Sequence, residues 1–234
     1  MIKAVFFDLD GTLLPMDIKK FTKGYLYLLS SKLSSLGLAS DVIVNSVWEG
    51  VKDMYANDGS ETNKELFWRA FERFTKKSRE GFLESSDAFY DNEFYAAKEF
   101  TAENTLAKKA VELAGNNGRK VVLATNPVFP KNAQIARLSW IGLSPDDFEL
   151  VTDYETDSFT KPNPKYYLSI CDRIGVSPEE CLMVGNDVTE DMMGASRAGL
   201  SCFLVTDYII ESDKFEWGGP SGDFKELLKY LETL

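Results

Sequence analysis

Four short stretches of this chain carry side chains able to do chemistry, and they stand far apart in sequence. Asp8 and Asp10 lie two residues apart in "AVFFDLDGTLLP", with Gly11 and Thr12 directly behind them. Thr125 closes the apolar run "KVVLAT" and Asn126 follows it; Lys161 stands in "FTKPNPKYY"; "CLMVGNDVTED" leads through Gly185, Asn186 and Asp187 to Asp191. The chain has no histidine. That removes Ser-His-Asp and Cys-His catalysis together with the commonest zinc ligand. Carboxylates, lysine, hydroxyls and a hard cation held by oxygen remain.

Electrostatics says what such a set would hold. Two unit charges about 4 Å apart interact by roughly 4 kcal/mol at an effective dielectric of about 20, so acids gathered without a counter-charge would be strongly unfavourable. Oxygen ligands without histidine or closely spaced cysteine favour Mg2+, which joins carboxylates to a substrate phosphate. Lys161 adds a second positive charge, and Thr125 and the backbone amides after Asp8 add neutral donors. The combination suits a phosphoryl group. One carboxylate can attack phosphorus and split a hard hydrolysis into two easier steps. A second, two residues along, can protonate the leaving oxygen and then deprotonate water.

For these residues to meet, the elements between them must form an open parallel sheet, in which ligands bind outside the carboxyl ends of the strands. "IKAVFF" has the β-branched and aromatic make-up of a strand buried on both faces. "KVVLAT", "FELVT", "CLMVGN" and "CFLVT" are further strands, alternating with helices over "TAENTLAKKAVELAG", "KNAQIARLSWIG" and about 164–174, 188–198 and 223–232. Such alternation predicts a doubly wound α/β sheet with right-handed crossovers. Residues 15–100 instead show helical spacing and no strand. Phe21, Tyr25, Leu28, Leu29, Leu33 and Leu36 mark a first helix, Val44 to Tyr55 a second, and Leu66 to Phe74 a third, with a fourth over Ser86–Lys98. Trp48, Phe67, Trp68 and Phe71 fall on these helices and read as packing, with no further role.

Together the motifs resemble the haloacid dehalogenase superfamily, specifically its magnesium-dependent phosphatases. "DLDGT" at 8–12, the strand ending in Thr125, Lys161 before a proline and "GNDVTED" at 185–191 stand in that family's order. The resemblance implies a catalytic core from residues 1–14 and 101–234, with residues 15–100 as a smaller, all-helical cap inserted after the first motif. It implies Asp8 as nucleophile and Asp10 as general acid and base. It also implies Thr125, Asn126 and Lys161 as phosphate-binding residues and Asp8, Asp10 (through its carbonyl) and Asp187 as metal ligands, supported by Asp191, Asn186 and Thr12. Many members place an acid directly after the glycine of the fourth motif. Asn186 stands there here, so Asp187 is expected to take the metal contact, with Asn186 or Asp191 as candidates to share it. An acid at Asp10 favours phosphatase over dehalogenase.

Composition bounds the rest. The 234 residues are 44% hydrophobic with a net charge of −11, which argues against nucleic acid as a partner; the small phosphorylated metabolite expected instead follows from the ordered set of four motifs. Three cysteines without CxxC spacing suit reduced thiols in a cytoplasmic setting. No apolar stretch approaches bilayer length, and Asp8 and Asp10 interrupt what would be a signal-peptide core. Taken singly, the motif residues have bland readings. A strand-end threonine is usually structural, a loop lysine solvated, and Asp187 and Asp191 would serve as cap and first-turn acids of a helix. Their ordered conjunction carries the reading. Alternatives are a phosphomutase, a dehalogenase, a phosphonate hydrolase using an imine-forming lysine such as Lys19, Lys20, Lys23 or Lys52, and a signalling domain that accepts a phosphoryl group without turnover.

Overall fold

The computed structural model describes residues 1–234. Ala4–Phe7 form strand β1, and all four residues are fully buried. Successive strand residues point to opposite faces, so Val5 and Phe7 join one apolar cluster while Ala4 and Phe6 join another. Burial of a large apolar side chain such as Phe6 or Phe7 stabilises by about 1.5–3 kcal/mol.

The chain then leaves the sheet. Met16 and Thr101 pair as an antiparallel bridge at the exit and return points, and the Ala102 N–H donates to the Pro15 carbonyl at 2.8 Å. Between them run α1 (Ile18–Leu33), α2 (Ser40–Tyr55), α3 (Asn63–Thr75) and α4 (Glu80–Asp91). Asp17 starts α1 by accepting from the Lys19 and Lys20 N–H groups at 2.9 and 3.1 Å. The fourth predicted helix is wrong at both ends. The α4 helix begins six residues before Ser86 and stops at Asp91, where Asn92 (φ −130°, ψ −80°) breaks it into a tighter 3-10 stretch, Glu93–Phe100.

The remaining chain alternates as expected. It comprises α5 (Ala107–Gly115), β2 (Lys120–Leu123), α6 (Lys131–Trp140), β3 (Leu150–Val151), α7 (Pro164–Ile174), β4 (Cys181–Gly185), α8 (Gly194–Arg197), β5 (Ser201–Val205), β6 (Ser221–Gly222) and α9 (Phe224–Glu232). All strands are parallel, in the order β3-β2-β1-β4-β5-β6. Helices α5, α6 and α9 share the apolar cluster of Val5 and Phe7, and α7 and α8 that of Ala4 and Phe6. The sheet is thus covered on both faces, as a doubly wound α/β fold requires. Three details differ from expectation, the first being the two-residue strand β6, which the sequence pattern did not mark. Thr101 and the residues after it are extended or turned until Ala107, and the segment read as one helix from 188 opens with a wide π-type turn over Val188–Met193. No helix is long and apolar enough to cross a membrane.

Register sets the geometry that matters next. Phe7 is level with Leu123 on one side and Val184 on the other, so Asp8, Thr125 and Asn186–Asp187 all emerge at one edge.

Candidate active site

Asp8 sits at the end of β1, 8% exposed. Its Oδ1 accepts from the Lys161 ammonium at 2.7 Å, and Oδ2 lies 3.3 Å from the Thr12 hydroxyl. Lys161 is completely buried, and it also donates to Asp191 Oδ1 at 2.6 Å. A cation is thus clasped between two carboxylates that lie 153 and 30 residues away in sequence. Burial would depress the Lys161 ammonium, but Asp191 and Asp8 outweigh it and hold its pKa well above the usual lysine range. Asp191 has the opposite problem. Burial pushes it up to about 8, against the pull of a lysine whose charge it shares with Asp8.

The turn after Asp8 depends on a close approach. Gly11 has φ +88°, and a Cβ there would lie 2.3 Å from the Asn186 amide nitrogen. That combination leaves room for glycine alone. Asn186 is held at both ends, with Oδ1 3.1 Å from the Thr12 hydroxyl and Nδ2 donating to the Tyr208 carbonyl at 2.6 Å. Both Asp191 oxygens are likewise engaged, since Oδ2 accepts the Asp187 N–H at 3.0 Å. Asp187 is freer. Its Oδ1 caps the following turn by accepting from the Thr189 and Glu190 N–H groups at 2.8 Å, and Oδ2 makes no hydrogen bond. The helix-cap reading and the site reading of Asp187 thus describe two different oxygens.

Thr125 is buried beyond β2. The Thr152 hydroxyl (2.6 Å) and the Tyr166 hydroxyl (2.8 Å) fix its carbonyl, while the residue itself lines the site cavity. Asn126 accepts the Lys161 N–H at 3.2 Å and donates to Glu190 Oε2 at 3.0 Å and to the Tyr55 hydroxyl at 2.9 Å. All nine residues singled out from the sequence therefore meet at this strand edge.

Four partners were not legible. Arg137 of α6, with no exposed surface, donates to Asp10 Oδ2 and to Gln134 Oε1, and its guanidinium lies 4.4 Å from the centre of the Phe129 ring. Asp10 Oδ1 is buried with no partner at all. Burial raises the Asp10 pKa, Arg137 opposes that, and neighbouring Asp8 adds to it. Glu190 is pushed up to about 7 by burial and accepts from the Tyr55 hydroxyl at 2.6 Å, so α2 touches the strand edge directly. In the sequence, Gln134 and Arg137 look like the solvent face of an amphipathic helix. The available signal was their position among Ala133, Ala136, Leu138 and Trp140, which leaves α6 no wide polar face.

Asp8, Asp10, Asp187, Glu190 and Asp191 all line one cavity, with Lys161 and Arg137 as the cations paired to that set. Burial raises four of the five. A divalent cation would relieve that excess. No three acidic or thiol side chains close into a cage. The available donors are instead two carboxylates, Asp8 and Asp187, with backbone oxygen beside them, a hard and partial shell that suits an ion retaining several waters.

The cavity, about 370 Å3, continues away from the acids into the helical segment. One stripe of α1 lines it from Ile18 to Leu33, with Val47, Trp48 and Val51 of α2 and Phe67, Trp68 and Phe71 of α3. The aromatic residues read from sequence as packing are also cavity wall.

A family model for haloacid dehalogenase-like hydrolases matches residues 2–199. A phosphoglycolate phosphatase of Thiobacillus denitrificans is 30% identical over 87% of this chain and 83% of its own. A glyceraldehyde 3-phosphate phosphatase of Methanothermobacter thermautotrophicus is 25% identical over 92% and 90%. Among solved structures, a 2-haloacid dehalogenase from Pseudomonas syringae superposes with a TM-score of 0.65 at 20% identity, covering 98% of this chain and 99% of that one. At that identity the likeness speaks for the fold alone.

Proposed function

The chain belongs to the haloacid dehalogenase-like hydrolases, and from that premise we propose that it is a magnesium-dependent phosphatase acting on a phosphate monoester of a small metabolite. One observation carries the reading. Two carboxylates two residues apart line the same cavity, Asp8 ion-paired to a buried lysine and Asp10 raised in pKa with one oxygen free.

In the proposed mechanism Asp8 attacks phosphorus and becomes an aspartyl-phosphate while the bond to the ester oxygen breaks. Asp10 gives that oxygen a proton, and Oδ1 is the atom placed to carry it, because Arg137 occupies Oδ2. Asp10 then takes a proton from the water that attacks the phospho-enzyme, releasing phosphate and restoring Asp8. The Thr125 hydroxyl and Asn126 hold the phosphoryl oxygens, and Lys161, which stands behind Asp8 and not in the cavity wall, supplies positive charge through its pair with Asp8. Asp8, Asp187 and the Asp10 carbonyl would hold the magnesium ion, which supplies positive charge against those oxygens when bound. Asp191 positions Lys161 and the Asp187 backbone. Residues 15–100 act as a cap, joined at the Met16–Thr101 bridge and latched by Tyr55 to Glu190 and Asn126, which would exclude water from the intermediate. A phosphonate hydrolase would need an imine-forming lysine at the cavity, and no lysine lines it. The acid at Asp10 favours ester hydrolysis over dehalogenation.

Phosphate release from p-nitrophenyl phosphate tests this directly. It should require added Mg2+ and disappear in Asp8→Asn; turnover unchanged in that variant would overturn the mechanism.

A further inference from the structure

The phosphatase reading leaves the leaving group open, and the wall of the cavity beyond Asp10 constrains it. Six residues of α1 face the cavity, from Ile18 to Leu33. At 1.5 Å rise per residue they extend it about 22 Å along that helix. A volume of about 370 Å3 drawn out over such a length is a slim chamber, within the range that takes a small-molecule ligand. The α1 stripe faces Val47 and Val51 of α2 and Phe67 and Phe71 of α3. Polar groups in its wall are few and uncharged: the Tyr25 and Tyr90 hydroxyls hydrogen-bond each other at 2.7 Å, the Tyr154 hydroxyl accepts from Trp68 at 3.4 Å, and Thr22 and Ser86 add two more hydroxyls. No lysine or arginine lines any part of it, and the two cations nearest the acids, Lys161 and Arg137, are buried and paired with carboxylates.

We infer that the substrate is a phosphate monoester whose leaving group is an elongated apolar chain or ring with no second anionic centre. This rests on the phosphatase reading and narrows it. A carboxylate or second phosphate on the leaving group would lose its water inside the chamber with no cation to meet it. An alkyl chain instead leaves water for apolar wall, and each methylene adds to binding. The names of the relatives, glyceraldehyde 3-phosphate phosphatase and phosphoglycolate phosphatase, point to compact polar substrates, so the chamber predicts a preference different from theirs.

Straight-chain alkyl phosphates test this well, because their leaving oxygens have nearly equal basicity and differ in apolar length alone. With the purified enzyme and Mg2+, kcat/KM for ethyl, butyl and hexyl phosphate should rise by up to about four-fold per methylene, the gain from burying one CH2 group. All three should change by less in Leu29→Trp, where the added ring narrows the chamber and ends the rise at a shorter chain. A flat or falling series in the wild-type enzyme, with phosphoglycolate or glyceraldehyde 3-phosphate turned over faster than hexyl phosphate, would overturn the inference and leave the phosphatase reading standing. Failure to release phosphate from any of these esters would overturn both.

Discussion

The strand edge and the helical chamber share one cavity and are built on opposite principles. At the edge every functional group is polar, and most are fixed by named hydrogen bonds. Lys161 alone ties Asp8 to Asp191, and Asn126 ties Lys161 to Glu190. In the chamber, Leu29, Val47, Phe71 and their neighbours meet by apolar contact, which is non-directional and tolerant of repacking. The difference teaches where each property resides. Chemistry needs atoms held in place by partners, whereas the choice of leaving group needs volume and the absence of charge.

Substitutions should therefore separate the two regions. The largest effect is expected from Lys161→Met, which strands Asp8 and Asp191 without their cation. Removing one partner of a buried pair costs about 3–5 kcal/mol, so the urea midpoint should fall steeply and phosphate release should be lost. A variant of normal stability would break the comparison by showing the edge to be as tolerant as the chamber. Next comes Arg137→Leu. It should cost about 3 kcal/mol and lower kcat more than it raises KM, because Asp10 loses the partner that orients it; Asp10→Leu/Arg137→Leu should regain part of the stability and none of the activity. Unequal loss in KM alone would place Arg137 in binding instead.

A smaller and purely electrostatic effect concerns pH. Burial raises Glu190 from 4.5 to about 7. Between those values the folded protein binds more protons than the unfolded chain, so this group's contribution to stability is full below pH 4.5 and is lost as pH rises through about 7. The melting temperature of metal-free protein should carry that decline, and Glu190→Gln should flatten it. A decline unaltered in that variant would assign it to Asp191 or another acid. The smallest change is Tyr55→Phe, which removes one hydroxyl linking α2 to Glu190 and Asn126. It should shift KM by less than about ten-fold with kcat nearly preserved; loss of kcat would move Tyr55 from the chamber side of the comparison to the edge.

The same contrast explains what could be read from the sequence. Asp8, Thr125 and Asp187 were legible because strand ends converge by topology, and a short apolar run followed by polar residues marks a strand end wherever it occurs; Lys161, in the loop ahead of α7, was legible only from its place in the order of the motifs. The doubly wound class followed from the same pattern. Arg137 was hidden because its partner, Asp10, is 127 residues away and its own helix presents no local anomaly beyond crowded alanines. The chamber was hidden for a different reason. Helical spacing shows that Phe67 and Phe71 face inward, but a filled interior and a lined cavity give the same periodicity. The break at Asn92 and the two-residue β6 were missed because both are tertiary in origin, with β6 pairing only to the end of β5.

The position of β1 carries a consequence for how the chain comes to exist. It precedes every other strand of the sheet in the chain, yet it lies at the centre of the sheet between β2 and β4, whose residues end at Leu123 and Gly185. At about 5–20 residues per second of synthesis, a wholly apolar strand waits on the order of ten seconds or more for its second neighbour. The helices that follow it directly offer partial shelter, since Val5 and Phe7 share a core with Phe21 and Tyr25 of α1. Ala4 and Phe6 share their cluster first with Val122 and Ala124 at β2 and gain helical cover only when Tyr166, Tyr167 and Ile170 of α7 are translated. One face of the nascent strand is thus protected early and the other late, and the ribosome-bound chain is most exposed to aggregation through the face that will finally pack beneath α7.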